Sequence, residues 1–292
     1  MSKIISIENI SYKVGNKIIL ENINLTVDSE DSFALIGKNG AGKTTLFEII
    51  LKDIKPTNGQ VSFNNIIGNN FKNTGVVYDH LPLFPLLKVK EIIDYFSSLY
   101  DIKTNEIPTE YYEVFGLKSI INSYIKSLSQ GERKKVGLFL SIIHNPKLLI
   151  LDEPFSNIDP TVIDSIWKIL KSNNRTILFT THNWKEVEDV ATKIAFINKG
   201  TIVMQPTSVE NIMQSLPHTK KIITDYNEII VDNIKEFDYY INENLLHIFV
   251  NDKSNIIGII SAYTNNFSFK ECDIKDAYLF KIKNDEEYNH TL

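Results

Sequence analysis

Nine consecutive residues, Gly37-Lys38-Asn39-Gly40-Ala41-Gly42-Lys43-Thr44-Thr45, match the phosphate-binding loop pattern G-x-x-x-x-G-K-[ST] in full. The chemistry open to such a stretch is anion capture. Its glycines let the backbone wrap until successive N–H groups face one anion, and a helix N-terminus behind them adds partial positive charge. Lys43 is placed to reach the outer phosphates of a nucleoside triphosphate, and the Thr44 hydroxyl to complete the shell of a magnesium ion. A second segment, Lys147-Leu148-Leu149-Ile150-Leu151, is an apolar run that ends in Asp152-Glu153-Pro154. A strand buried on both faces releases polar side chains only at its C-terminal edge, beside a loop of this kind. Asp152 is then positioned to bind magnesium, directly or through water, and Glu153 to polarise an attacking water. An Asp-Glu pair alone is equally well a helix cap and a surface acid. The strand before it and the phosphate loop give it the catalytic reading.

These residues need a scaffold, and the hydrophobic pattern supplies one. Residues 31–36 read as a buried strand and 44–51 as an amphipathic helix, which is the context a phosphate loop requires. Short strand-like runs at 4–7, 18–20, 23–27 and 61–63 are punctuated by turns at Gly15-Asn16 and Asn58-Gly59. From about 86 to 143 the period becomes helical. Strands and helices then alternate: 147–151, 161–171, 176–180, 184–191 and 193–198, closing on a Lys199-Gly200 turn. Such alternation predicts an α/β fold with a mainly parallel core sheet and an N-terminal antiparallel β subdomain. A helical insertion at about 77–143 interrupts it. Beyond Met213 the composition changes to short Ile- and Tyr-rich segments separated by Asn and Asp. The predicted division is an ATPase domain over 1–215 and a small α+β appendage over 216–292.

Composition narrows the partners. With 292 residues and 43% hydrophobic content the chain can bury a large core and hold two domains. A net charge of -5 argues against nucleic-acid binding through a basic surface. The single cysteine, Cys272, rules out an intramolecular disulfide. The longest apolar runs, such as 136–143, are far too short to span a bilayer, and the N-terminus alternates like a strand without a signal-peptide core. Work at a membrane would therefore need spans from another chain.

Leu128-Ser129-Gln130-Gly131-Glu132 carries the sharpest message. Over about residues 3–213 the chain resembles the ATP-binding subunits of ABC transporters, whose signature is usually Leu-Ser-Gly-Gly-Gln. Leu128, Ser129 and Gly131 are kept; Gln130 and Glu132 depart. A Ser hydroxyl and Gly backbone N–H groups at a helix N-terminus still make an anion site. In the family that site meets ATP held by the opposite subunit, so the resemblance implies a head-to-tail dimer sharing two ATPs, with Ser129 and Gly131 as nucleotide contacts. Ser156-Asn157-Ile158-Asp159 stands where the family has an interface loop, and Thr180-Thr181-His182 where it has a switch histidine. A neutral His182 imidazole there would bond the γ-phosphate and orient Glu153 and the water.

Two positions depart further. Counting back from Leu83-Phe84-Pro85 puts Asp79 where the family has a glutamine that contacts magnesium or the water; Asp79 is shorter and charged. Val14 stands where an adenine-stacking aromatic is expected, and Tyr12, two residues earlier on the same strand face, is the better candidate, with simple sheet packing as its alternative role. Aromatics of the insertion, Tyr95, Phe96, Tyr100, Tyr111 and Tyr112, either line a groove for a membrane subunit or pack the insertion's own core. Asp273-Ile274-Lys275-Asp276-Ala277-Tyr278-Leu279 resembles the ending of ATPases that serve type-2 exporters, which makes the appendage a regulatory or dimer-stabilising element. The resemblance thus implies an ATP- and Mg2+-dependent ATPase, peripheral on the cytoplasmic face, that drives a transmembrane permease of an exporter as a homodimer or beside a paired ATPase. Competing readings are a soluble ATPase acting on ribosomes or DNA and a cassette that gates a membrane protein without moving solute. The single phosphate loop and lack of sustained heptads weigh against the first.

Overall fold

The computed structural model describes residues 2–68, 71–80, 83–251 and 255–289. Leu81 and Pro82, inside the segment used to register Asp79, lie outside the described residues, as do positions 290–292 of the predicted appendage. The chain divides into two compact units, Met1–Pro206 and Thr207–Leu292.

In the first unit the chain opens with β1 (Lys3–Val14), β2 (Lys17–Asp28), β3 (Ser32–Ile36) and α1 (Lys43–Ile50). It continues through β4 (Asn58–Phe63), β5 (Thr74–Val77), α2 (Val89–Leu99), α3 (Thr109–Val114) and α4 (Gln130–Ile142). Then follow β6 (Leu148–Leu151), α5 (Pro160–Lys171), β7 (Thr176–Thr180), α6 (Trp184–Val190), β8 (Lys193–Asn198) and β9 (Thr201–Thr207). Strands β1, β2 and β4 form an antiparallel sheet in the order β2-β1-β4, and six others form the core sheet in the order β5-β6-β7-β3-β8-β9. The pairs β5/β6, β6/β7, β7/β3 and β3/β8 are parallel.

The reason is visible in the sequence. Every residue of β3 and β6 is buried, as the near-continuous apolar runs of a sheet covered on both faces require. The short strands read at 4–7 and 18–27 are parts of two twelve-residue strands joined at Gly15. Helix α5 starts with Asp159 capping the Thr161 N–H at 2.9 Å and Pro160 in its first turn. In the insertion, Phe115 and Tyr112 pack on Phe139 of α4, so Tyr112 belongs to the insertion's own core. Tyr95 is exposed beside Phe84, and Tyr100 stacks on His144 at 3.9 Å.

The second unit contains α7 (Val209–Gln214), β10 (Lys220–Asp225), α8 (Glu228–Asn233), β11 (Tyr239–Asn242) and β12 (Leu245–Val250). It ends with α9 (Ile256–Ser261), β13 (Phe267–Glu271) and α10 (Ile274–Asn289). Its four-stranded sheet runs β11-β12-β10-β13, over a core built from Ile222, Ile230, Ile248 and Ile260.

Candidate functional site

The sheet decides where the chemistry gathers. β3 stands between β7 and β8 although the next strand the chain adds to this sheet is β5, so the strand order reverses there and a crevice opens beyond the strand ends. The phosphate loop follows β3, Asp152-Glu153 follows β6, Thr181-His182 follows β7 and Tyr78-Asp79 follows β5. One cleft of about 340 Å³ is lined by Asn39, Gly40, Gly42, Lys43, Thr44, Thr45, Asp79, Asp152, Glu153 and His182, with Lys17 and Ile19 of β2 at its margin.

Gly42 adopts φ 106°, and a Cβ there would lie 2.6 Å from Leu20, so only glycine passes the chain into α1. Lys43 is buried, and its Nζ donates to the carbonyls of Gly37 at 2.7 Å and Lys38 at 3.3 Å. Burial lowers its pKa, while the charges of Glu153 and Asp152 oppose that shift. The Thr44 hydroxyl donates to Asp152 Oδ2 at 2.7 Å. Asp152 is nearly enclosed, and its Oδ1 accepts from the Thr180 hydroxyl at 2.5 Å. That hydroxyl also accepts the Glu153 N–H at 3.0 Å. Thr180, the last residue of β7, therefore holds the Asp152 carboxylate and the Glu153 backbone just beyond the neighbouring strand.

Glu153 holds φ 46°, in the left-handed region. Its Oε1 is buried and makes no hydrogen bond, although His182 Nε2 lies 2.9 Å away. That approach is close enough for an ion pair but is not aligned as a hydrogen bond. Burial, opposed by Lys43 and reinforced by Asp152, Asp79 and Glu186, raises the Glu153 pKa to about 7. Burial and then the charge of Lys43 lower that of His182, which favours a neutral imidazole. A carboxyl whose pKa is raised to about 7, beside an imidazole pushed towards its neutral form, is equipped to take a proton from water near neutral pH.

The remaining predicted residues lie as follows. Gly37, Lys38 and Ala41 complete the loop backbone around Lys43. Tyr12 does not line the cleft: it pairs with Leu20 across the hairpin and packs half-buried on the N-terminal core. Its ring is committed to the sheet, and Ile19 and Lys17 stand at the cleft instead. Ser129 and Gly131 also lie outside the Lys43 cleft, at the start of α4. Ser129 caps the helix by accepting the Glu132 N–H, and its own N–H and hydroxyl donate to Glu132 Oε2 at 2.8 Å. Glu132, one of the departures from Leu-Ser-Gly-Gly-Gln, thus completes a capping box. At Gly131 a Cβ would lie 2.1 Å from the Asn157 carbonyl, so glycine lets α4 touch that loop.

Two residues that sequence reasoning did not single out belong here. Thr180 has a signal only in its place at the end of a strand next to the Asp152 strand. Lys134 is 3% exposed and reaches the same strand ends from α4. Its spacing from the buried Leu138 and Ser141 puts a charge on the core-facing stripe of the helix.

The chain is similar to known proteins in family and fold. A family model described as ABC transporter matches residues 20–156. The uncharacterized ABC transporter ATP-binding protein YdbJ of Bacillus subtilis (strain 168) is 33% identical over 208 residues, covering 68% of each chain. The lantibiotic transport ATP-binding protein SrtF of Streptococcus pyogenes is 31% identical over 206 residues, covering 69% of this chain and 90% of its own. A solved ATP binding subunit of an ABC transporter shares the fold with a TM-score of 0.67 at 22% identity, over 72% of this chain and 92% of that one.

Proposed function

The chain belongs to the ATP-binding proteins of ABC transporters, which hydrolyse ATP to drive transport, and we propose that it is the Mg2+-dependent ATPase subunit of an exporter. The observation that carries the reading is the convergence of Lys43, Thr44, Asp152, Glu153 and His182 in one cleft at the ends of parallel strands.

The residues present fit a magnesium ion. Thr44 and Asp152 bring a hydroxyl and a carboxylate oxygen together at 2.7 Å, and Thr180 holds the carboxylate in place. No group of three or more His, Cys, Asp or Glu side chains that could hold a metal occurs among the described residues. A hydroxyl, one carboxylate and substrate phosphates are the donor set that Mg2+ uses. When bound, the ion neutralises charge on the phosphates. The loop N–H groups and Lys43 cradle the triphosphate, Glu153 takes the proton of the attacking water, and His182 holds Glu153 and the γ-phosphate in register. Asp79 lines the same cleft.

Ser129 and Gly131, outside this cleft, are proposed to contact the ATP of a second subunit, so that two copies or a paired ATPase close around two nucleotides. No helix among the described residues is long and apolar enough to cross a membrane. The spans are proposed to come from a permease, which holds the chain at the cytoplasmic face. A cavity of about 220 Å³ lined by Leu83, Phe96, Tyr100 and His144 offers a place for its cytoplasmic loop. Residues 216–292 are proposed as a regulatory or dimer-stabilising domain, as the 273–279 ending suggests. Nucleic acid is not among the proposed partners, given the net charge of -5.

The experiment is ATP binding, dimerisation and turnover of the full chain with Mg2+. Wild type should hydrolyse ATP, Lys43→Ala should lose ATP binding, and Glu153→Gln should hold ATP and accumulate as a dimer without turnover. The reading fails if Glu153→Gln neither holds ATP nor dimerises.

A further inference from the structure

Lys134 is the one charged side chain on the buried face of α4. Its Nζ donates to the carbonyls of Asp79 at 2.9 Å, Tyr78 at 3.1 Å and Asp152 at 3.4 Å, using the three donors of an ammonium. It also lies 3.5 Å from Asp79 Oδ1. The carbonyls belong to the ends of β5 and β6, which are paired with Val77 opposite Leu151. One lysine thus ties α4 to both strand ends from which Asp79, Asp152 and Glu153 project.

Burying an ammonium is costly unless charge and hydrogen bonds compensate it. Carbonyl dipoles alone would serve a structural clamp, and a neutral donor would meet that need. The full charge matches a different feature. Asp79 places a carboxylate, 46% exposed, in the wall of the cleft that also holds Lys43, Thr44 and Glu153. An unpaired anion there would repel the triphosphate. Asp79 borders a second cavity as well, of about 360 Å³, lined by Gln130, Lys134, Ser156 and Asn157. The Asp79–Lys134 pair is therefore the partition between the phosphate cleft and the surface formed by the start of α4.

We propose that Lys134 is a positioning residue of the ATP site, the counter-charge that lets an aspartate stand at position 79 and fixes its carboxylate relative to Asp152 and Glu153. The inference rests on reading the Lys43 cleft as the ATP site. It adds that Asp79 and Lys134 are one coupled feature.

The test is the KM for ATP and kcat of the full chain in Lys134→Gln, Asp79→Asn and the double variant. Lys134→Gln keeps hydrogen-bond donors and removes the charge, leaving Asp79 unpaired, and should raise KM about tenfold or more. Adding Asp79→Asn should return KM to within about threefold of wild type, a rescue that loss of a mere structural clamp would not allow. Asp79→Asn alone alters a part-exposed side chain and removes one of the anions facing the ammonium, Asp152 and Glu153 remaining, so it should lower KM; this arm holds even where Lys134→Gln does not fold. Unchanged KM in Lys134→Gln, absence of rescue, or a rise in KM in Asp79→Asn overturns the proposal. Absence of ATP turnover in wild type instead overturns the functional reading beneath it.

Discussion

Replacing Glu153 by Gln tests the site through folding and chemistry together. The Glu153 side chain is 17% exposed, and its Oε1 has no hydrogen-bond partner. Burial raises its pKa from 4.5 to about 7. At about 1.4 kcal/mol for each tenfold change in proton affinity, the charged form carries roughly 3 kcal/mol of destabilisation. Solvent screening at the partly open cleft reduces this to about 2 kcal/mol. The sign follows from linkage. The native state binds this proton more tightly than the unfolded chain, so the penalty is absent below 4.5, grows as pH rises and is complete above about 7. Glutamine keeps the shape without the charge. At about pH 8 the variant should therefore melt roughly 4–8 °C above wild type, and at about pH 4 the two should coincide. Turnover should fall at least about a hundredfold as the base is lost, while ATP binding persists. Thermal melts of both proteins across this pH range, with single-turnover hydrolysis alongside, read both effects. A stability difference that does not grow with pH would falsify the account of a carboxylate held charged at a cost.

Three further outcomes are expected. kcat/KM for ATP should fall as pH drops through about 7, with a slope approaching one, because the deprotonated Glu153 is the base; Glu153→Gln should show no such limb in its residual activity. Thr180→Val removes the donor to Asp152 and leaves the Glu153 N–H unpaired, costing about 1–3 kcal/mol in denaturant unfolding and roughly tenfold or more in apparent Mg2+ affinity. Gly131→Ala forces α4 away from the Asn157 carbonyl; the chain should lose about 1–3 kcal/mol of stability and weaken in ATP-dependent dimerisation measured by light scattering, whereas Gly15→Ala, strained at φ 59° but with open space around its Cβ, should lose about 1 kcal/mol of stability and leave dimerisation unchanged.

Why part of the site was legible in the sequence, and part was not, follows from what each part depends on. Gly37 to Thr45 works through local backbone geometry and the helix it starts, so nine residues in order carry the information. Asp152 and Glu153 were legible because an apolar strand can release acids only at its end. For Tyr12 the sequence left adenine stacking and sheet packing both open; the hairpin pairing and the core beneath it favour packing, and Lys17 and Ile19 line the cleft. Ser129 and Glu132 read correctly as a helix start, yet the hydroxyl's engagement by the Glu132 carboxylate depends on rotamers that spacing does not fix.

The sequence by itself determined the loop, the acids, the order of strands and helices, and the family to which these belong. Those are properties of neighbours along the chain. The tertiary structure alone decided that Thr180 holds the Asp152 carboxylate and the Glu153 backbone and that Lys134 is buried against three carbonyls. It also decided that Asp79 faces both the phosphate cleft and the α4 surface. Each of these depends on parallel pairing of β5, β6 and β7 and on the packing of α4 against their ends, contacts between residues separated by 18 to 56 positions. Only closure of the sheet brings such residues within hydrogen-bond reach.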